Sequence, residues 1–319
     1  MEIGSLRCIF RTLSIAITMC LVGIVTPAQA GSETNQTDSV EPAKGYVLKL
    51  GRISVNPRKD YPKYKTLGDF LVKRLNQAGV SDWEVVFATS QQQMSEYVRD
   101  GKVDIVPASV YTGIVLKEQA GAELLLKEWR NGMKSYQTLF VTSKASDINE
   151  LSDLLGQKIA FETQHSTPSY FVPRMVLESQ GLPLVEVDSR EVTPEQTHIG
   201  YLFAKKEVNI AQWVSSEWVQ AGTISSRDWN DPKYIPEGLK KKLRVFHRTE
   251  PFPRAVWAVR SDLSEPLKLE IQNVLLAVAN DPEDIKELKR YRGVTGYELL
   301  KEGELTWFHE QLKKHNLSL

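Results

Sequence analysis

The chain has 319 residues, with 40 Lys+Arg against 40 Asp+Glu and 41% hydrophobic residues. That length can bury a sizeable core and fits about two domains. The balanced charge argues against a broadly basic nucleic-acid binder, a local patch aside, and the 19 Gly and 15 Pro exclude collagen-like and wholly disordered classes.

Arg7 and Arg11 precede an apolar stretch over residues 13–25, which is followed by Thr26-Pro27-Ala28-Gln29-Ala30. A positive start, a short apolar run and a small-x-small site predict a secretory signal peptide over residues 1–30, cleaved after Ala30. The run falls short of the roughly 20 residues of a membrane span. Ile17-Thr18-Met19 lacks the small residue expected before a lipidated Cys20. Cleavage leaves 289 residues (319 less 30) with 38 basic and 39 acidic groups, since residues 1–30 hold Arg7, Arg11 and Glu2. It also removes Cys8 and Cys20, which are all the cysteines of the chain. The expectation is a soluble exported protein with no disulfide, no thiolate metal site and no Cys nucleophile.

Polar residues 31–44 read as a flexible linker. Residues 46–55 alternate as a strand that Asn56-Pro57 breaks. Leu67, Phe70, Leu71 and Leu75 recur at helical spacing up to Gly79. A strand follows at 83–88, then a helix capped by Ser90 and closed by Gly101, then a strand at 103–106. Further strands are predicted at 135–141, 156–161, 185–187, 208–211, 243–246 and 255–259. Helices are predicted at 169–180, 195–204, 265–279 and 304–314, with a short one between the last two. Strands alternating with helices imply a parallel α/β sheet. Two such units suggest two lobes with a cleft between them. Residues 45–141 and 249–319 make lobe 1 and residues 142–248 make lobe 2.

Ser166-Thr167-Pro168-Ser169-Tyr170-Phe171-Val172-Pro173 carries the most information. It joins a strand to a helix, where unpaired N–H groups and the helix dipole favour an anion. A Ser or Thr there also caps ordinary helices, so the turn alone does not decide. Ser109, Tyr111 and Thr112 follow the strand at 103–106, and ligands of open α/β sheets bind beyond the carboxyl ends of strands. A cap and a packed tyrosine would look the same. Trp213, Trp218, Trp229 and Trp257 read as cleft walls or as core.

The order of Ser109-Val110-Tyr111-Thr112-Gly113, the strand around YQTLFVTS, the segment DLLGQKIAFE and the turn STPSYFVP resembles the periplasmic phosphate/phosphite/phosphonate-binding proteins of ABC importers. The likeness covers most of residues 46–300. It implies a two-lobed type II periplasmic binding fold with mixed sheets flanked by helices. It also implies a periplasmic solute-binding component that takes a small phosphorus oxyanion in the interlobe cleft, without catalysis. By the resemblance, Ser166 and Thr167 are the first two anion-binding positions, Tyr111 is a cleft tyrosine and His198 is a histidine aimed at the ligand. Ser109 and Thr112 stand beside them.

The departures bear on specificity. The family's third Ser is Pro168 here, which removes one N–H and one hydroxyl, and its Gly is Ser169, which offers a hydroxyl back. Asn209 stands where the family often has Asp. Ala255 stands where amine-binding members carry an acid; Glu217 is the substitute, and Arg254 lies beside Ala255. Arg254 would favour an anion with no cationic tail, and it reads equally as a surface charge.

The implied partners are the ligand and an ABC permease, with a sensor kinase as the alternative. No nucleic acid, cofactor or metal is expected, and the protein is expected to be a monomer. An exported hydrolase using Ser166, His198 and Asp188 is the third reading. It is disfavoured because neither G-x-S-x-G nor H-E-x-x-H occurs.

Overall fold

The computed structural model describes residues 45–314, with side chains described through Gln311. The signal peptide, its cleavage after Ala30 and the linker over 31–44 lie outside the described residues.

The first segment runs β1 (Tyr46–Ile53), α1 (Pro57–Leu75), β2 (Val80–Ala88), α2 (Gln91–Arg99), β3 (Ile105–Ala108), α3 (Val110–Ala120) and β4 (Glu123–Arg130). Local signals explain the helices. Asn56 caps α1 by accepting from the Lys59 N–H, with Pro57 in its first turn. Ser90 and Ser109 cap α2 and α3 in the same way. Left-handed Gly79 and Gly121 end their helical segments.

The chain then passes through β5 (Ser135–Tyr136), β6 (Thr138–Ser143), β7 (Lys158–Phe161), α4 (Val172–Ser179), β8 (Leu184–Glu186), β9 (Ile199–Phe203), α5 (Glu207–Ser215), β10 (Ala221–Ser225), α6 (Ser226–Trp229), α7 (Glu237–Lys240) and β11 (Leu243–Arg248). It returns through β12 (Phe252–Pro253), β13 (Val256–Val259), α8 (Glu265–Ala277), α9 (Pro282–Arg292), β14 (Val294–Leu299) and α10 (Thr306–Lys314).

Two six-stranded mixed sheets result, ordered β14-β4-β13-β3-β1-β2 and β11-β6-β10-β7-β9-β8. In the first, β13 runs antiparallel to β3 and β4, and β14 runs antiparallel to β4. In the second, β6 alone opposes the rest, pairing antiparallel with β10 and β11. β6 belongs wholly to the second sheet, so a crossing at Val141 would cut a strand. The change of sheet falls between Arg130 and Thr138 on the way out and between Arg248 and Val256 on the way back.

Two expected elements exchange identity. Residues 199–203 form β9 rather than a helix, and Glu207–Ser215 form α5 rather than a strand. The run Val208-Asn209-Ile210-Ala211 is too short for its period to separate a strand from one buried turn of helix. Gly222 of β10 completes the packing of α5: a Cβ there would sit 2.2 Å from an Ile210 methyl. The strands β4, β10, β12 and β14 add to those expected.

Apolar clusters line both faces of each sheet. Leu67, Phe70 and Leu71 of α1 pack with Leu267, Ile271 and Tyr291 on one face of the first sheet, and Met94, Val98 and Leu116 pack on the other. Ile210 and Val214 of α5 cover one face of the second sheet, and Leu177 lies in the cluster on the other. A further cluster joins Val110 and Ile114 of α3 to Phe171, Val172 and Met175, with Phe308 of α10 beside them. That cluster holds the carboxyl edges of the two sheets in register across a polar space.

Candidate functional site

The polar space is a cavity of about 280 Å³ lined from both sheets. On the first-sheet side stand Ser109 after β3, Arg130 at the end of β4, Arg254 before β13 and Arg292 before β14. β13 and β14 run against β3 and β4, so all four positions share the edge where the parallel strands end. On the second-sheet side stand Glu162 after β7, Glu207 after β9 and Ser225 at the end of β10, again at the carboxyl edge.

The turn after β7 supplies Ser166, Thr167 and Pro168 to the cavity wall. It is a π-helical turn over Thr167–Phe171 that leads into α4. Several bonds pin it. The Ser166 hydroxyl accepts from the Ser169 N–H at 3.2 Å, Thr138 Oγ1 donates to the Pro168 carbonyl at 2.6 Å, and Thr223 Oγ1 donates to the Ser169 carbonyl at 3.2 Å. Thr167 is different: its Oγ1 is buried and has no partner.

The opposite wall is cationic. Arg130 is 11% exposed and donates through Nε to the fully buried Glu128 at 2.5 Å, while Glu128 also accepts from the Trp257 indole at 2.8 Å. Burial alone would push the Glu128 carboxyl up, but the charges of Arg130 and Arg292 outweigh it and hold it below its ordinary value. Burial pushes Arg130 down, and Arg292 and Arg254 push the same way against the attraction of Glu128. Arg130 and Arg292 meet through backbone: the Asn131 N–H donates to the Gly293 carbonyl at 2.7 Å. Asn131 and Gly132 both adopt positive φ in a tight turn, and left-handed Gly293 ends α9. Arg130 Nη2 and Arg292 Nη1 are buried and unpartnered, like Thr167 Oγ1. Arg254 lies over the Tyr136 ring, 4.7 Å from its centroid.

The second-sheet wall is acidic but largely satisfied. Glu207 accepts from the Ser225 N–H at 3.0 Å and the Ser225 hydroxyl at 2.9 Å, and from the Ser169 hydroxyl. Burial first, and then the Asp228 charge, push its carboxyl up to about 8 against the pull of Ser169. Burial also raises Glu162. Asp228 is paired with Arg227 at 2.7 Å.

Of the expected residues, Ser109, Ser166, Thr167 and Arg254 line this cavity together. Ser169 does not reach it, because its buried hydroxyl is spent on Glu207. Tyr111 packs on Phe171 with centroids 4.1 Å apart, and Thr112 accepts from Ser109 and Gln91 at 3.1 Å each. His198 lies at the opposite edge of the second sheet: it precedes β9, and its carbonyl accepts from the Gly156 N–H ahead of β7. Its ring stays with Thr197 and is 40% exposed. None of the four tryptophans lines the cavity. Trp257 and Trp229 are core, and Trp218 lies beneath Arg190. Glu217 borders a separate hollow with Trp218.

Arg130, Arg292, Glu207 and Tyr136 escaped the sequence reading. The Asn131-Gly132 pair is a hairpin signal that could have placed Arg130 at a strand end. Nothing local pairs Arg130 with Arg292. Among the described residues no cluster of His, Cys, Asp and Glu is placed to hold a metal, and no helix is long and apolar enough to cross a membrane.

Two mixed α/β sheets with a polar cavity between their carboxyl edges define a type II periplasmic binding protein. The comparisons are more specific. Residues 53–304 match the family described as "ABC transporter, phosphonate, periplasmic substrate-binding protein", and the chain belongs to that family. It is a substrate-binding protein of ABC transporters, not an enzyme. XAC2383 from Xanthomonas citri is 33% identical in two solved structures. The chloride-bound one covers 84% of this chain and 99% of its own at a TM-score of 0.76, and the ATP-bound one covers 83% and 95% at 0.75. The fold extends to PhnD1 from Prochlorococcus marinus in complex with methylphosphonate, 18% identical over 85% of this chain and 98% of that one, at a TM-score of 0.59.

Proposed function

We propose that this protein is exported to the periplasm, loses its signal peptide after Ala30, and delivers a small phosphorus oxyanion of the phosphonate, phosphite or phosphate class to an ABC permease. The two sheets belong to two lobes that close over the ligand in the cavity between them. Thr167, Ser109 and the guanidinium wall line the seat of the ligand, and Ser166 shapes the turn.

One observation carries this reading. Thr167 Oγ1, Arg130 Nη2 and Arg292 Nη1 are buried without partners, and all three residues line one cavity from opposite sides. A buried donor left unmade costs about 1–3 kcal/mol, more when charged. Anionic oxygens facing both walls would satisfy all three. The cavity volume lies near the lower limit, about 300 Å³, of small-molecule sites, which suits a small anion. The ATP-bound relative adds nucleotides to the ligands worth testing.

Isothermal titration with phosphate, phosphite, methylphosphonate and 2-aminoethylphosphonate tests the proposal. The expected result is micromolar or tighter binding of at least one, with a raised melting temperature. No heat and no melting shift with any oxyanion would overturn it. Sequencing the mature N-terminus checks export, with Gly31 expected as the first residue.

A further inference from the structure

We propose that the wall formed by Arg130, Arg254 and Arg292 is a second anion subsite, so that the preferred ligand carries two linked anionic groups, one at the Thr167 turn and one at the guanidiniums. This deepens the oxyanion reading above and rests on it.

Charge accounting carries the argument. A buried charge is stable only when paired and hydrogen-bonded. Three arginines line one side of the cavity, and Glu128 lies within ion-pair distance of Arg130 alone. Among the described residues no carboxylate comes within that distance of Arg254 or Arg292. Arg254 is partly served by the Tyr136 ring, and Arg292 keeps a buried nitrogen with no acceptor.

The carboxylates across the cavity do not supply the missing charge. Asp228 is held by Arg227, Glu207 is held by Ser169 and Ser225, and Glu162 comes within ion-pair distance of none of the three arginines among the described residues. One phosphonate group at the Thr167 turn would leave the far guanidiniums unmatched. A second phosphoryl or carboxylate group on a short spacer would reach them and accept planar, two-pronged bonds.

Titration calorimetry with methylphosphonate, phosphonoacetate, pyrophosphate and 2-aminoethylphosphonate tests this. Methylphosphonate carries one anionic group, phosphonoacetate and pyrophosphate carry two, and 2-aminoethylphosphonate carries a cationic tail. Phosphonoacetate and pyrophosphate are expected to bind at least tenfold more tightly than methylphosphonate. Arg292→Gln is expected to lose at least tenfold more affinity for pyrophosphate than for methylphosphonate. Because Arg292 is packed against the Glu128 cluster, Arg254→Gln serves as a second variant whose fold is less at stake, with the same asymmetric loss expected. Methylphosphonate or 2-aminoethylphosphonate binding as tightly as the two-anion probes would overturn the subsite and leave the oxyanion reading standing. Equal losses for both ligand classes in Arg254→Gln would do the same. Silence with all four ligands would overturn both.

Discussion

The hydroxyl of Ser169 donates to the carboxylate of Glu207 at 2.5 Å, and both residues are buried. This bond fixes the turn that presents Thr167 to the cavity, because Glu207 is itself tied to Ser225 at the end of β10. Ser169 therefore shapes the cavity wall without lining it.

Thr167 and Ser169 should respond oppositely to truncation. Thr167→Ala removes an unpartnered hydroxyl, so the free protein keeps its melting temperature while oxyanion affinity falls by about 1–3 kcal/mol. Ser169→Ala removes a donor from a buried carboxyl, so stability falls by about 1–3 kcal/mol and affinity changes less than in Thr167→Ala. Calorimetry and thermal melts on the same two variants check both. The reverse pattern would place the anion seat on Ser169.

Glu207 makes binding depend on pH. Its folded-state value of about 8 exceeds the ordinary 4.5, chiefly through burial. The folded protein thus holds a proton that the unfolded chain releases, so stability falls as pH rises from about 4.5 to about 8. Ionisation near pH 8 also brings a negative charge to the cavity wall and weakens anion binding. Glu207→Gln should flatten both trends between pH 6 and pH 9, a window of about one to two units around the shifted value. The ligand's own ionisation is common to both proteins and cancels in their difference. Parallel profiles for the variant and the wild type would show that Glu207 is not the titrating group.

The architecture was legible because it is written in short-range pattern. Asn56, Ser90 and Ser109 cap where capping chemistry predicts, and left-handed Gly79 stops its helical segment. The turn at Ser166 and Thr167 was legible for the same reason. The cationic wall was not, because Arg130 and Arg292 lie far apart in the chain and are brought together by the pairing of β4 with β14 and the Asn131–Gly293 backbone bond. The fate of Ser169 was hidden too: its partner Glu207 sits on a segment whose short apolar run reads as strand, whereas α5 packs as a helix against the second sheet, close over Gly222.

Glu128 should prove a structural anchor for the arginine wall. It is fully buried, accepts from Arg130 and from the Trp257 indole, and stands within the field of Arg292. Removing one member of a buried pair typically costs about 3–5 kcal/mol, because the remaining charge is left uncompensated. Glu128→Ala is expected to lower unfolding free energy by that order in urea denaturation. Bound pyrophosphate should recover part of the loss, since it offers Arg130 another partner. A variant as stable as the wild type would mean that Arg130 finds a partner elsewhere.

His198 provides the sharpest contrast between resemblance and structure. The resemblance assigns it to the ligand, yet it precedes β9 at the amino edge of the second sheet, whereas Glu162 and Glu207 follow β7 and β9 at the carboxyl edge beside the cavity. β7 and β9 run parallel in register from Lys158–Gly200 to Phe161–Phe203, so the whole length of the strands separates the imidazole from the cavity. At about 3.3 Å of rise per residue, four paired positions span on the order of 10 Å. Surface charges at that range are screened at physiological salt. His198→Ala is therefore expected to leave oxyanion affinity within about twofold, under 0.5 kcal/mol, as surface substitutions away from a site usually do. A tenfold loss measured by calorimetry would return His198 to the ligand and require a conformation in which the loop before β9 reaches the other edge of the sheet.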